Sequence, residues 1–459
     1  MPAQAPGAFH SAPAGFLRNL ARRLLGELGF RLAGFEEVDP GVVHNNRLFR
    51  LRAADGREAM AKLYLRDGRH RMEREYDTLG FLGRRGLRTF PVPLARSGEH
   101  YYAVYSLEAG ENRPAAQWTT AQAEAAARVC VELDRIRPED ADIPLRTAFP
   151  AGFSHEEGLD RVRGRLGLFA EYAGGLSGGE GVPPEVRDLC ASADPVAEVE
   201  VLLAAFTRGI SATQREARVP EQQWRLDVGD YAPHNVLIRP AGHADGPLCV
   251  LDLEYAGWDD PVAMCALFAT ADQSLDLPRP HLDALLRAFQ DGVGLLEAER
   301  ARMERVMTLL HIARCAIHLQ LLVPELIEKK RFASPTLAVS AHRRNQIAKF
   351  HCRVGIARAA VERLTYPART HQTRELACPG FASICCNETI MYSAPTGPGH
   401  SVGVNAGYVG SGAVASGQRV RSEPATRSHH AASLSNVPAR WADATNVSMI
   451  ETSCRRRER

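Results

Sequence analysis

Residues 225–261, RLDVGDYAPHNVLIRPAGHADGPLCVLDLEYAGWDDP, leave the chain little freedom. Two short apolar runs, Val236-Leu237-Ile238 and Leu248-Cys249-Val250-Leu251, flank a stretch of turn formers from Pro240 to Pro247. The pattern predicts a β-hairpin with Asp230, Asn235 and Asp252 gathered at one end. Phosphoryl transfer asks for such a set. One carboxylate orients the acceptor hydroxyl and takes its proton, while an amide and a second carboxylate hold Mg²⁺ against the nucleotide phosphates. Any one of these acids alone reads as a solvated loop residue; their joint spacing around two hydrophobic runs carries the argument.

The same stretch resembles the catalytic and metal-binding segment of the aminoglycoside phosphotransferase / choline kinase family. That family's pattern is roughly H-G-D-x-x-x-x-N, an apolar strand, I-D-x-E and then G-x-x-D-P. The chain offers Val228-Gly229-Asp230, Asn235, Leu251-Asp252-Leu253-Glu254 and Gly257-Trp258-Asp259-Asp260-Pro261. It departs at Val228, where the family usually has His, and in placing His234 directly before Asn235. The string D-[FY]-x-x-H-N followed by E-Y-x-G-W-D-D-P resembles a branch whose substrates are poorly defined. The resemblance implies an α+β, bilobal protein-kinase-like fold. Its small N-terminal lobe is an antiparallel sheet with one helix, and its larger C-terminal lobe is mainly helical. It further implies Asp230 as catalytic base or orienter, Asn235 and Asp252 as metal ligands, and ATP and Mg²⁺ as cofactors.

Residues 1–13 are rich in Pro and Ala and are expected to be disordered. Phe16, Leu17, Leu20, Leu24 and Leu25 then recur at helical spacing. The arginines opposite them would suit a membrane-surface helix, but Glu27, Glu36 and Glu37 follow soon after and favour a helix packed on the next lobe. An N-terminal nucleotide-binding lobe is expected over 14–111. Arg47–Leu51 and Glu58–Leu65 alternate like strands around an Asp55-Gly56 turn. Gly41 to Asn46 occupies the place of a phosphate-covering loop, and Asn46-Arg47-Leu48-Phe49-Arg50 is similar to the family's strand-turn-strand motif. Lys62, in mid-strand, is the candidate for the phosphate-contacting lysine. Its partner is expected on the helix from Arg69 to Leu82, with Glu75 ahead of Glu73, since 100° per residue separates their faces. Tyr105, Ser106, Leu107 and Glu108 follow as the hinge that would meet the adenine edge.

A helical catalytic and acceptor lobe is expected over 112–364, with helices from Thr119 to Arg137, between Glu156 and Gln214, and over Pro280–Gly292, Glu297–Val323 and Val339–Arg363. Gly174 to Gly181 reads as a flexible loop, and Asp260-Pro261 as a helix start. Glu254, Asp259 and Asp260 are candidates for binding a cationic substrate, or for capping that helix. His234 is a second candidate base. Residues 365–459 contain no lysine and no regular period, which reads as a disordered tail or the product of a frameshift. His371, Cys378, Cys385 and Cys386 lack the paired spacing of a zinc site.

Charge narrows the partners. With 56 basic and 54 acidic residues the net charge is +2, which supplies no field for nucleic acid or a membrane surface. Ten scattered cysteines, mostly within apolar patterns, suggest reduced thiols in a cytoplasmic protein, and the N-terminus has no secretory pattern. The helix near Val306–Val323 contains His311, Arg314 and His318, which marks it as a core helix rather than a membrane span. The reading is an ATP-dependent small-molecule kinase acting on a hydroxyl of a metabolite, sugar, amino alcohol or aminoglycoside-like acceptor. A peptide acceptor is disfavoured because only a few residues separate Asp252 from the next helix. The alternative is a catalytically inactive nucleotide-binding pseudokinase acting as a scaffold. Retention of Lys62, Asp230, Asn235 and Asp252 argues against that alternative.

Overall fold

Strand alternation and helical periodicity segregate along this chain, and the computed structural model follows that segregation across residues 13–38, 45–175 and 183–366. Expectations for residues 1–12, for most of the loop at Gly41–Asn46, for the glycine-rich stretch up to Gly181 and for the tail beyond Tyr366 lie outside the described residues. In chain order come α1 (Ala14–Gly26), β1 (Leu32–Val38), β2 (Arg47–Ala53), β3 (Glu58–Leu63), α2 (Arg71–Arg84), β4 (Pro93–Ser97) and β5 (Tyr102–Ser106). The five strands form one antiparallel sheet in the order β1-β2-β3-β5-β4. The Asp55-Gly56 turn joins β2 to β3, with Gly56 at φ 87°, a conformation that costs glycine little. Helix α1 packs on this sheet through Leu17, Leu20, Ala21 and Leu25, all buried with Phe49, Leu51, Tyr102 and Val104.

The larger lobe begins with α3 (Thr120–Asp134), α4 (His155–Gly175), α5 (Pro184–Ser192), α6 (Pro195–Arg208) and α7 (Ala212–Glu216). Thr119 and Gln122 close a capping box on α3, an arrangement worth about 1 kcal/mol. Four short strands follow: β6 (Arg225–Asp227), β7 (Val236–Ile238), β8 (Leu248–Val250) and β9 (Gly257–Asp259). β7 and β8 form the hairpin, with Val236 opposite Val250, while β6 pairs with β9. The remaining helices are α8 (Ala263–Thr270), α9 (Arg279–Val293), α10 (Glu297–Gln320), α11 (Pro324–Ala333) and α12 (Val339–Thr365). α8 begins two residues later than the Asp260-Pro261 pair suggests, because Asp260 accepts the Val262 N–H outside the helix proper. Helices α4, α6, α10 and α12 enclose a second core around Phe169, Phe206, Ile312 and Phe350. No single described helix is long and apolar enough to cross a membrane.

Candidate active site

Three side chains meet where the sheet faces the hairpin. β3 places Lys62 on the cleft face, and α2 brings Glu75 over it. Lys62 Nζ donates to Glu75 Oε1 at 2.7 Å and Oε2 at 3.0 Å, and to Asp252 Oδ1 at 2.9 Å. Burial alone would depress the ammonium pKa, yet the carboxylates of Asp252 and Glu75 raise it well above the usual lysine value. Lys62 is therefore held protonated between the two lobes. Asp252 sits just past β8 with φ 63°, a left-handed conformation that costs a non-glycine residue about 1 kcal/mol. That turn lets Leu253 and Glu254 bury fully while the Asp252 carboxylate points to Lys62.

The loop joining β6 to β7 carries Asp230. Gly229, at φ 85°, lies so close to Tyr255 that a Cβ would come within 2.5 Å of its backbone, so only glycine fits there. Val228, at the position where histidine is usual, is buried in the core. Asn235 Nδ2 donates to the Asp230 carbonyl at 2.9 Å, which locks the loop and leaves the Asn235 side-chain oxygen as an acceptor. The Asp230 carboxylate is 37 % exposed and lies 3.8 Å from His234 Nε2.

Between these groups runs a cleft. Leu48, Met60, Leu237 and Leu251 supply apolar walls, and Lys62, Asn235 and Asp252 close one end. Tyr105, Ser106, Leu107, Glu108 and Asn46 line it as well. The side chains of two hinge residues have structural partners. Ser106 Oγ donates to Glu108 and accepts the Val92 N–H, and Glu108 pairs with the fully buried Arg239 guanidinium at 2.7 Å. Leu107 and Glu108 follow the last strand-paired residue. Asn46 donates to Glu254 Oε2 at 2.5 Å, while its own Oδ1 is buried without a partner among the described residues.

A profile of the phosphotransferase enzyme family (APH) matches residues 39–306, more than half of the chain. The chain belongs to that family. It is a phosphotransferase of protein-kinase-like fold, a kinase of hydroxyl acceptors. Among solved structures, spectinomycin phosphotransferase in complex with ADP and spectinomycin is similar at 12 % identity and TM-score 0.54, over 76 % of this chain and 98 % of that one. A choline kinase from Streptococcus pneumoniae is similar at 11 % identity and TM-score 0.46, over 74 % and 99 %. No curated protein matches the sequence.

For a phosphotransferase of this family the cleft's donors suit a nucleotide and Mg²⁺. Asn235 and Asp252 offer one amide oxygen and one carboxylate. Among the described residues no group of three His, Cys, Asp or Glu forms a complete metal cage. Such a partial set fits a hard cation that completes its shell with waters and phosphate oxygens.

Two features escaped the sequence reading. The first is a contact across the lobes: Glu254, fully buried, accepts from Arg71, Asn45 and Asn46, and Arg71 also reaches the Tyr255 hydroxyl. Glu254 is thereby committed within the protein, as are Asp259, which takes the N–H groups of Gly152 and Asp260, and Asp260, which pairs with Arg302. The expectation that these three acids hold a cationic substrate therefore gives way to structural roles.

The second is Asp227, buried beneath the Asp230 loop on the same face of the β6–β9 pair as Asp259. Its Oδ1 accepts the Gly229 N–H at 2.6 Å, and its Oδ2 has no partner among the described residues. Burial pushes its pKa up to about 7, helped by the charges of Asp230 and Asp260. Because the folded value exceeds the unfolded one, the native state binds more protons between about pH 4 and pH 7, so this group's contribution to stability falls as pH rises through that window. Asp227→Asn keeps the acceptor and removes the buried charge. The variant is expected to gain on the order of 2–4 kcal/mol over the parent at pH 8 and almost nothing at pH 4. Thermal melts across that range decide: a parallel pH profile for the two proteins would refute the assignment.

Proposed function

We propose that the chain transfers the γ-phosphoryl group of ATP, with Mg²⁺, to a hydroxyl of a small-molecule acceptor. Residues 14–111 would bind the nucleotide and residues 112–364 would hold the catalytic loop and the acceptor. The observation that carries the reading is the single ammonium of Lys62 bonded at once to Glu75 and Asp252 across the cleft. Bound ATP and Mg²⁺ supply the transferable phosphoryl group and the charge that draws electrons toward its leaving oxygen. Lys62, braced by Glu75, neutralises the phosphates that stay behind. Asn235 and Asp252 hold the cation, and the Leu107–Glu108 backbone meets the adenine edge. Asp230, on the exposed side, orients the acceptor hydroxyl and takes its proton. The buried free thiols of Cys130, Cys249, Cys265 and Cys315 support a reducing, cytoplasmic setting.

The test is thermal stabilisation by ATP with and without Mg²⁺, followed by ATP consumption across a metabolite panel. At a hundredfold excess over Kd, ATP is expected to add about 2.7 kcal/mol, which raises Tm by several degrees, and only when Mg²⁺ is present. An unchanged melting curve under both conditions rejects the proposal.

A further inference from the structure

We infer that the acceptor carries an oxyanion, either a carboxylate or a phosphate, and that Arg69, Arg161, Arg165 and Arg314 bind it beside the Asp230 loop. This inference rests on the kinase reading and adds the substrate class to it. Phe149 and Tyr255 stack with ring centroids 6.3 Å apart, and the Arg69 guanidinium lies over both rings, 4.9 Å from Phe149 and 6.0 Å from Tyr255. The Tyr255 backbone is the surface that Gly229 packs against, so this shelf adjoins Asp230. Arg161, on α4, donates to the Ala151 carbonyl at 2.6 Å, two residues from Phe149. Arg165 stands one turn further along α4, and Arg314 stands on α10, the helix packed against α4.

What these arginines lack is as telling as where they stand. Arg165 and Arg314 are half-buried and make no hydrogen bond or ion pair with any described residue. Burial, then Arg161, Arg314 and Arg69, push the Arg165 pKa down to about 10, and no acid opposes them. Arg161 feels Asp259, Glu157 and Asp160 at longer range, and Arg314 lies in the field of Asp272. Asp272 is itself bonded to Arg353, and Asp259 to backbone N–H groups. The acids near the Asp230 loop thus have partners, as do Arg69, at 3.6 Å from Asp67, and Arg161, whereas Arg165 and Arg314 have none among the described residues. A cationic acceptor would meet repulsion here, above all from Arg165. An oxyanion would turn that repulsion into charge-assisted hydrogen bonds, for which the guanidinium fork is suited.

The test uses the full chain with its nucleotide site filled by Mg²⁺ and a non-hydrolysable ATP analogue. Inorganic phosphate and malonate are the probes, read by thermal shift, against Arg165→Gln, Arg314→Gln and the double variant. Both anions are expected to raise Tm of the parent and to bind the double variant at least about tenfold more weakly. Without anion, the double variant is expected to melt at or above the parent, since it removes repulsion; a merely structural role for these arginines would lower Tm. Turnover then compares glycerate with glycerol, glucose 6-phosphate with glucose, and both pairs with choline and kanamycin. Preference for glycerate assigns a carboxylate, and preference for glucose 6-phosphate a phosphate. Anion binding unaltered in the double variant, or preferred turnover of choline or kanamycin, would overturn the proposal. Absence of nucleotide binding would instead defeat the kinase reading, and the anion titration without nucleotide would still report on the arginines.

Discussion

Replacing Asp230 by asparagine is expected to lower kcat by about 10²–10⁴-fold, the range associated with loss of a positioned proton acceptor, and to leave Mg²⁺·ATP affinity close to the parent value. The substitution preserves shape, and the loop is held by groups it does not touch. The Asn235 amide bonds the backbone carbonyl of residue 230 rather than its side chain, and Gly229 is wedged against Tyr255. The lost function is therefore confined to one carboxylate oxygen and the proton it accepts. His234 is the competing base, since its Nε2 lies 3.8 Å from that carboxylate. Its Nδ1, however, is buried without a partner among the described residues, and the residue lines the cleft beside Asn235. His234→Gln is accordingly expected to cost far less than Asp230→Asn. Steady-state kinetics on both variants, with thermal shift to track nucleotide binding, separate the two. A His234→Gln loss as deep as that of Asp230→Asn would transfer the base to the histidine.

Local spacing explains why so much of this site could be read from the sequence. Asn235 and Asp252 bracket two apolar runs, and antiparallel pairing of those runs brings both residues to one hairpin end. Lys62 and Glu75 are only thirteen positions apart, and a strand followed by a helix is enough to bring them together. The rest depends on contacts that no local period encodes. Arg71 and Glu254 are separated by 183 positions, and Asn46 and Glu254 by 208. From the sequence, Glu254 therefore read as a candidate for a cationic substrate or a helix cap and Asn46 as part of a phosphate-covering loop, and their contact emerges only when the lobes are placed face to face. The same limit applied to Asp259 and Asp260. Their sequence suggested a helix cap or a cation site, whereas their partners Gly152 and Arg302 come from distant parts of the chain. The arginines of α4 and α10 have ordinary helical spacing, and only the packing of those two helices sets Arg165 near Arg314.

The largest expected loss of stability lies away from the cleft, at Asp272. Its side chain is 11 % exposed, and Arg353, fully buried on α12, donates Nε and Nη2 to its Oδ1 at 2.8 and 2.5 Å. From α10, His318 Nε2 approaches the other oxygen at 3.4 Å, and His318 Nδ1 meets Gln346 at 2.8 Å. His311, also on α10, has its pKa pushed down to about 3 by burial and by Arg353, so it remains neutral and its Nδ1 accepts from Arg353. Asp272→Asn strands the Arg353 charge in a dry interior and is expected to lower the unfolding free energy by about 3–5 kcal/mol. Adding Arg353→Met should recover much of that loss, because removing both members of a buried pair is far cheaper than removing one. The pH dependence has the opposite sign to that of Asp227. Burial would raise the Asp272 pKa, but His318 and Arg353 outweigh it and hold it well below 3.8. Its contribution is thus complete above about pH 4 and fades as pH falls toward the folded value. Urea melts of parent, single and double variants between pH 3 and pH 6 test both claims. The parent alone should weaken steeply on the acid side, and equal slopes for parent and Asp272→Asn would show that this carboxylate does not hold the three elements together.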